Sequence, residues 1–233
     1  MHTLFGNGQG LIAFKAALQK ALCAFCVITI AFAASVAGAA DAPIRILAFG
    51  DSLSAGYGLA DLADSFPVQL EKALKAKGHN VVLLPGAISG DTTSGGRSRL
   101  EWSLAEKPDA VIVELGGNDA LRAVDPKITA ENMDAIVRRF QKDGTPVLIA
   151  GMLAPPNLGR DYESRFNAVF AKVAKDTGAL FYPFFLEGAI TVADLMQGDH
   201  IHPNPAGVKV IVKGILPAVE KLIAQAQARR AGK

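Results

Sequence analysis

The sequence predicts an α/β protein, a three-layer α/β/α sandwich around a five-stranded parallel sheet. Three observations carry that expectation. Five short, nearly continuous apolar runs read as strands buried on both faces, because a sheet with one wet face would alternate polar and apolar residues. The segments between the runs repeat their apolar residues at helical spacing. Strand and helix then alternate along the chain, which implies right-handed crossovers and a sheet covered by helices on both faces.

The elements follow in order. Ile44-Arg45-Ile46-Leu47-Ala48-Phe49 is the first strand and stops at Gly50. A helix is expected over 66–77, with Ser65 as its cap, Pro67 in its first turn and Gly78 beyond its end. Val81–Leu84 is the second strand and Ala110–Leu115 the third. Residues 130–143 place Met133, Ile136, Val137 and Phe140 on one helical face and close at Gly144. Val147–Ala150 is the fourth strand. Phe166, Val169, Phe170 and Val173 mark the next helix, ended by Gly178, and Leu180–Phe184 is the fifth strand. The last helix starts at Asn204-Pro205, a cap followed by proline, and Pro217 should bend it. Trp102, with Leu100 and Leu104 nearby, reads as helix packing.

The N-terminus reads differently. Residues 21–40 are apolar and uncharged and end in small residues around Ala39 and Ala40. Residues 1–40 are therefore expected to be a secretory signal peptide, with a single domain over 41–233 exported to the periplasm or beyond. An uncleaved anchor is the rival reading, since about 20 apolar residues can span a bilayer. Cys23 and Cys26 fall inside the apolar run and would leave with it, so the mature chain would hold no thiol nucleophile. Two of the 24 Lys and Arg residues, Lys15 and Lys20, lie in this segment, so the rest carries 22 charges of each sign. No basic arm supports nucleic-acid binding. The helices read as amphipathic rather than apolar all round, which predicts a monomer with no stable membrane span in the mature chain.

In doubly wound sheets ligands bind beyond the carboxyl ends of the strands. Gly50-Asp51-Ser52-Leu53-Ser54 follows strand one, and Ile88-Ser89-Gly90-Asp91-Thr92 follows strand two. Gly116-Gly117-Asn118-Asp119 follows strand three, and Asp199-His200-Ile201-His202-Pro203 precedes the last helix. A nucleophilic hydrolase needs a hydroxyl, a base, a group orienting the base and donors for an oxyanion, and these segments hold all four. Asp199 and His202 are three apart, so one turn can set the carboxylate beside the imidazole. Loops 119–125 and 153–160 flank the same edge and are candidate walls of an acyl groove. Asp91, Thr92 and Asp119 are candidate helix caps. G-x-S-x-G, a Walker A loop, H-E-x-x-H and G-x-G-x-x-G after a strand are all absent, so no cofactor is expected. His200 and His202 form H-x-H, but His79 is the one other histidine of residues 41–233, so no metal site is expected.

The segments FGDSLSAGYGL (49–59), ISGDTTSGG (88–96), VELGGNDALR (113–122) and DHIHPN (199–204) resemble the SGNH (GDSL) hydrolase family. The likeness covers 44–220 and is strongest to its secreted bacterial acyl-CoA thioesterases, arylesterases and lysophospholipases. The resemblance implies a flavodoxin-like sheet, with Ser52 as nucleophile, His202 as general base and Asp199 orienting it. It implies an oxyanion hole from the N–H groups of Ser52 and Gly90 and the side-chain amide of Asn118, while Asp51 supports the nucleophile turn. The expected partner is a small ester or thioester carrying an acyl chain. A carbohydrate acetylesterase uses the same chemistry, although the low aromatic content of 7% argues against a sugar platform. A fatty-acid binding protein on this fold would not need Ser52, Asp199 and His202 together.

Overall fold

A computed structural model describes residues 42–232, and Pro43–Lys233 forms one compact unit. The expected signal peptide, with Cys23, Cys26 and the processing site near Ala39 and Ala40, lies outside the described residues. Five strands, β1 (Ile44–Gly50), β2 (Val81–Pro85), β3 (Ala110–Glu114), β4 (Val147–Ala150) and β5 (Leu180–Tyr182), form one parallel sheet in the order β2-β1-β3-β4-β5. β1, β3 and β4 are almost wholly buried, which is why their sequences run apolar without alternation.

The helices are α1 (Ser52–Ala55), α2 (Phe66–Ala76), α3 (Thr93–Ser98), α4 (Leu100–Leu104), α5 (Gly117–Leu121), α6 (Pro126–Lys142), α7 (Arg160–Thr177) and α8 (Pro205–Ala231). α2 packs on α8 on one side of the sheet, while α6 packs on α3 and α7 on the other. Phe49 of β1 meets Phe140 of α6 edge-on at 5.5 Å between ring centres. Among the described residues no helix is long and apolar enough to cross a membrane.

The chain leaves β1 for β2 on one side, then crosses back to β3 on the other. The crevice at this reversal opens beyond the carboxyl ends of β1 and β3, where such folds bind ligands. Gly50 pairs with Glu114 in register, so the turns beyond the two strands emerge side by side.

Several elements depart from the sequence expectation. α6 starts at Pro126 rather than 130, because Asp125 caps it through the Lys127 N–H and proline occupies its first position. β5 stops at Tyr182, since Pro183 has no N–H to continue the ladder. Ser65 sits at the cap position of α2 without a side-chain bond. Trp102 is 80% exposed, so it does not pack; Leu100 fills that role from the opposite face of α4. Asp91 caps nothing and pairs with Arg99 at 2.6 Å, leaving Thr92 to bond the Gly95 N–H. Asp119 is not the cap of α5, which is Gly116. Its carboxylate is fully buried and accepts from the Thr93 N–H at 2.8 Å and from the Thr93 and Thr129 hydroxyls, tying α5 to α3 and α6.

Candidate active site

Ser52 opens the short helix α1 directly after β1. Asp51 is the cap: its Oδ1 accepts from the Leu53 N–H at 3.0 Å, which fixes the turn that presents the serine. Beneath the turn Glu114 is fully buried, and its Oε2 accepts from the Ser54 hydroxyl at 2.7 Å and the Asp51 N–H at 3.3 Å. A Cβ at Gly50 would lie 2.6 Å from that oxygen, so only glycine leaves room for the carboxyl. Burial drives both acids upward, Asp51 to about 6 and Glu114 well above the usual carboxylate range; the Asp51 charge lifts Glu114 further.

His202 comes from the loop between β5 and α8. His202 Nε2 lies 2.9 Å from Ser52 Oγ, and Nδ1 lies 2.6 Å from Asp199 Oδ2. The pairing selects the imidazole tautomer with its proton on Nδ1, leaving Nε2 to accept from the serine hydroxyl. Asp199 Oδ1 accepts the N–H groups of Ile201 and His202, each at 3.0 Å. Those bonds, first the His202 N–H and then its ring, hold Asp199 ionised with a pKa of about 2. One carboxylate thus shapes the loop and aims the ring. Sequence spacing suggested the pair; it contained no sign of the two backbone bonds.

Gly90 and Asn118 meet Ser52 and His202 in the lining of one cavity. Gly90 has φ +85°, a left-handed conformation natural to glycine. Asn118 Nδ2 donates one hydrogen to Asp51 Oδ2 at 3.1 Å, and its second hydrogen is free for the cavity. Arg99 anchors the loop that carries Gly90: it bonds the carbonyls of Gly86 and Gly50 and stacks on Phe49 at 4.1 Å. The five predicted site residues therefore converge on one place.

The cavity measures about 840 Å³ and is mainly apolar, with Leu121, Leu153, Pro155, Phe184 and Ile190 among its walls. Both expected loops, 119–125 and 153–160, contribute. His200 is exposed at the rim. No group of three or more metal-ligating side chains occurs among the described residues.

Sequence reasoning missed three contributors. Tyr57 stacks at a tilt against the His202 ring, 4.7 Å between centres. Gln197 Nε2 donates to the carbonyls of Tyr57 at 2.8 Å and Pro203 at 3.0 Å, lashing the histidine loop to the segment after the nucleophile. Glu114 was legible only as a lone acid inside the apolar run Ala110–Leu115, where it is an anomaly.

The chain belongs to the GDSL-like Lipase/Acylhydrolase family, which it matches over residues 48–210. It is 37% identical to Esterase TesA of Pseudomonas aeruginosa over 76% of this chain and 89% of that protein. It is also 37% identical to Thioesterase 1/protease 1/lysophospholipase L1 of Escherichia coli, over 72% of this chain and 78% of that one. Among solved structures, TesA superposes with a TM-score of 0.73 over 76% of this chain and 99% of that one, at 37% identity. AlinE4, an SGNH-hydrolase family esterase, is 43% identical, with a TM-score of 0.66 over 77% and 96%.

Proposed function

We propose that the protein hydrolyses carboxylic esters and thioesters with an apolar acyl chain through an acyl-enzyme on Ser52. The observation that carries this reading is the run of contacts from Asp199 through His202 to Ser52, ending at the mouth of a large apolar cavity. At about 840 Å³ the cavity is within the usual range for small-molecule sites. The esterase, arylesterase and thioesterase names of the similar proteins agree with it.

His202 takes the Ser52 proton as Oγ attacks the carbonyl carbon. The carbonyl oxygen becomes an oxyanion held by the N–H groups of Ser52 and Gly90 and by Asn118 Nδ2. Protonated His202, its charge balanced by Asp199, then protonates the departing alkoxide or thiolate. Water repeats the sequence on the acyl-enzyme and restores Ser52. The protein works as a monomer, exported after removal of residues 1–40; the mass of the mature form recovered from cells checks that cleavage.

Hydrolysis of acetyl, octanoyl and palmitoyl p-nitrophenyl esters by the purified protein, with Ser52→Ala alongside, tests the reading. Turnover of the longer esters that vanishes in the variant is expected. Activity confined to acetyl would move the substrate to acetylated carbohydrate, and activity surviving in Ser52→Ala would refute the nucleophile.

A further inference from the structure

We propose that Arg122 is a positioning residue for the oxyanion hole, fixing Gly90 and Asn118 relative to each other. The inference rests on the hole assigned above. Arg122 closes α5: its backbone N–H bonds the Asn118 carbonyl at 3.2 Å, so the residue that ends this one-turn helix grips the residue carrying the amide donor. Its side chain reaches the other way, and Nη2 donates to the Gly90 carbonyl at 2.9 Å. One residue thus joins two donors from different strand ends, β2 and β3, with 27 residues between them.

Gly90 sits in a turn closed by the Asp91 N–H on the Ile88 carbonyl at 3.1 Å, and Arg122 holds the same peptide unit from its carbonyl side. Arg99 secures its base at Gly86 and Asp91 but does not touch Gly90. Among the described residues Arg122 is the one side chain bonded to the Gly90 backbone. Gly90 is exposed and left-handed at φ +85°, and without a Cβ its backbone has more alternative conformations than that of any other residue. An oxyanion donor works because it is already aimed when charge develops. A hydrogen bond on the Gly90 carbonyl restrains the Gly90–Asp91 peptide, and with the turn bond from Asp91 to Ile88 it limits how far the preceding peptide, which carries the Gly90 N–H, can turn. The guanidinium is well suited, since its planar fork is held by one bond more firmly than an ammonium would be.

Because the side chain is exposed, its removal should leave the fold intact. Steady-state kinetics on p-nitrophenyl octanoate, with melting curves, compare the wild type with Arg122→Ala, Arg122→Lys and Asn118→Ala. Arg122→Ala is expected to lower kcat about tenfold, less than loss of a whole donor, with KM and melting temperature unchanged. Arg122→Lys, which keeps a donor of similar reach, should recover at least half of the lost kcat. Raising salt from about 0.1 M to about 1 M should leave the deficit unchanged, whereas a purely coulombic effect on the oxyanion would be screened away. Wild-type kcat in Arg122→Ala, a loss confined to KM, no recovery with lysine, or a deficit that fades in salt each overturns the inference. Asn118→Ala separates the two levels: if it alone is slow, only the role of Arg122 falls; if it too is unimpaired, the hole itself falls.

Discussion

Asn118 holds two positions at once. Its amide donates one hydrogen to the buried Asp51 carboxylate, and the same side chain lines the cavity with a second hydrogen to give. Asn118→Ala should therefore reduce kcat by about 10²–10³, the usual loss for one oxyanion donor. It should also destabilise the fold by about 1 kcal/mol, because a buried acceptor loses its partner; parallel kinetics and denaturation measure both. Asp199 differs: its bonds go to the His202 ring and to the N–H groups of Ile201 and His202, and 38% of its side chain is exposed. Asp199→Ala should leave more activity than Ser52→Ala on the same ester, and equal losses would mean that the carboxylate does more than orient His202. The buried acids make a pH prediction. Asp51 rises to about 6 in the folded protein, against about 4 unfolded, because burial disfavours its charge. Between those values the folded state binds the extra proton, so stability falls as pH rises through the window. Asp51→Asn removes that slope and relieves Glu114 of its charged neighbour. Denaturation at about pH 4 and about pH 7 should show the variant gaining on the wild type at the higher pH. A difference independent of pH would contradict the assignment of the charge.

At the scale of elements, the short segments do the positioning, and these were the hardest to read. The long strands and helices announce themselves by apolar period, and all five strands fall where the sequence places them. Boundaries fail where capping decides, as at Asp125-Pro126, or where proline ends a ladder, as at Pro183. Side-chain destinations were less legible still. Asp91, Asp119 and Trp102 have the right types for caps and packing, but tertiary partners send the two acids elsewhere and leave the tryptophan in solvent. The histidine loop shows the same limit. Its Asp-x-x-His spacing is visible in sequence, yet its placement depends on Gln197, whose bonds reach back to Tyr57 across the chain. Gln197→Leu keeps bulk and removes both donated bonds. It should lower kcat about tenfold through displacement of His202, with a stability loss of about 1 kcal/mol per bond or less. Unaltered kcat, read from the same ester assay, would show that the loop holds its shape without that tie.

The whole molecule shows why separate segments converge. Parallel strands deliver every carboxyl end to one edge, and the reversal between β1 and β3 opens a crevice there. That much was legible, because three motifs beyond the ends of β1, β2 and β3 and a fourth before the last helix, all in order, leave little freedom. The cavity was legible in part: the segments carrying Leu121 and Leu153 were expected as its walls, whereas Phe184 and Ile190, beyond β5, complete it without any period in the sequence to announce them. If those walls hold the acyl chain, Ile190→Trp should shrink the space and cut kcat/KM for octanoyl at least about tenfold relative to acetyl esters. An unchanged ratio would place the chain elsewhere. Whether Ser52 is the nucleophile activated by His202 can be read with a fluorophosphonate probe followed by intact-mass and peptide-mass analysis. One adduct per chain is expected, on Ser52, absent in Ser52→Ala and much slower to form in His202→Ala. An adduct on another residue, or no adduct on a protein that still hydrolyses esters, would contradict it.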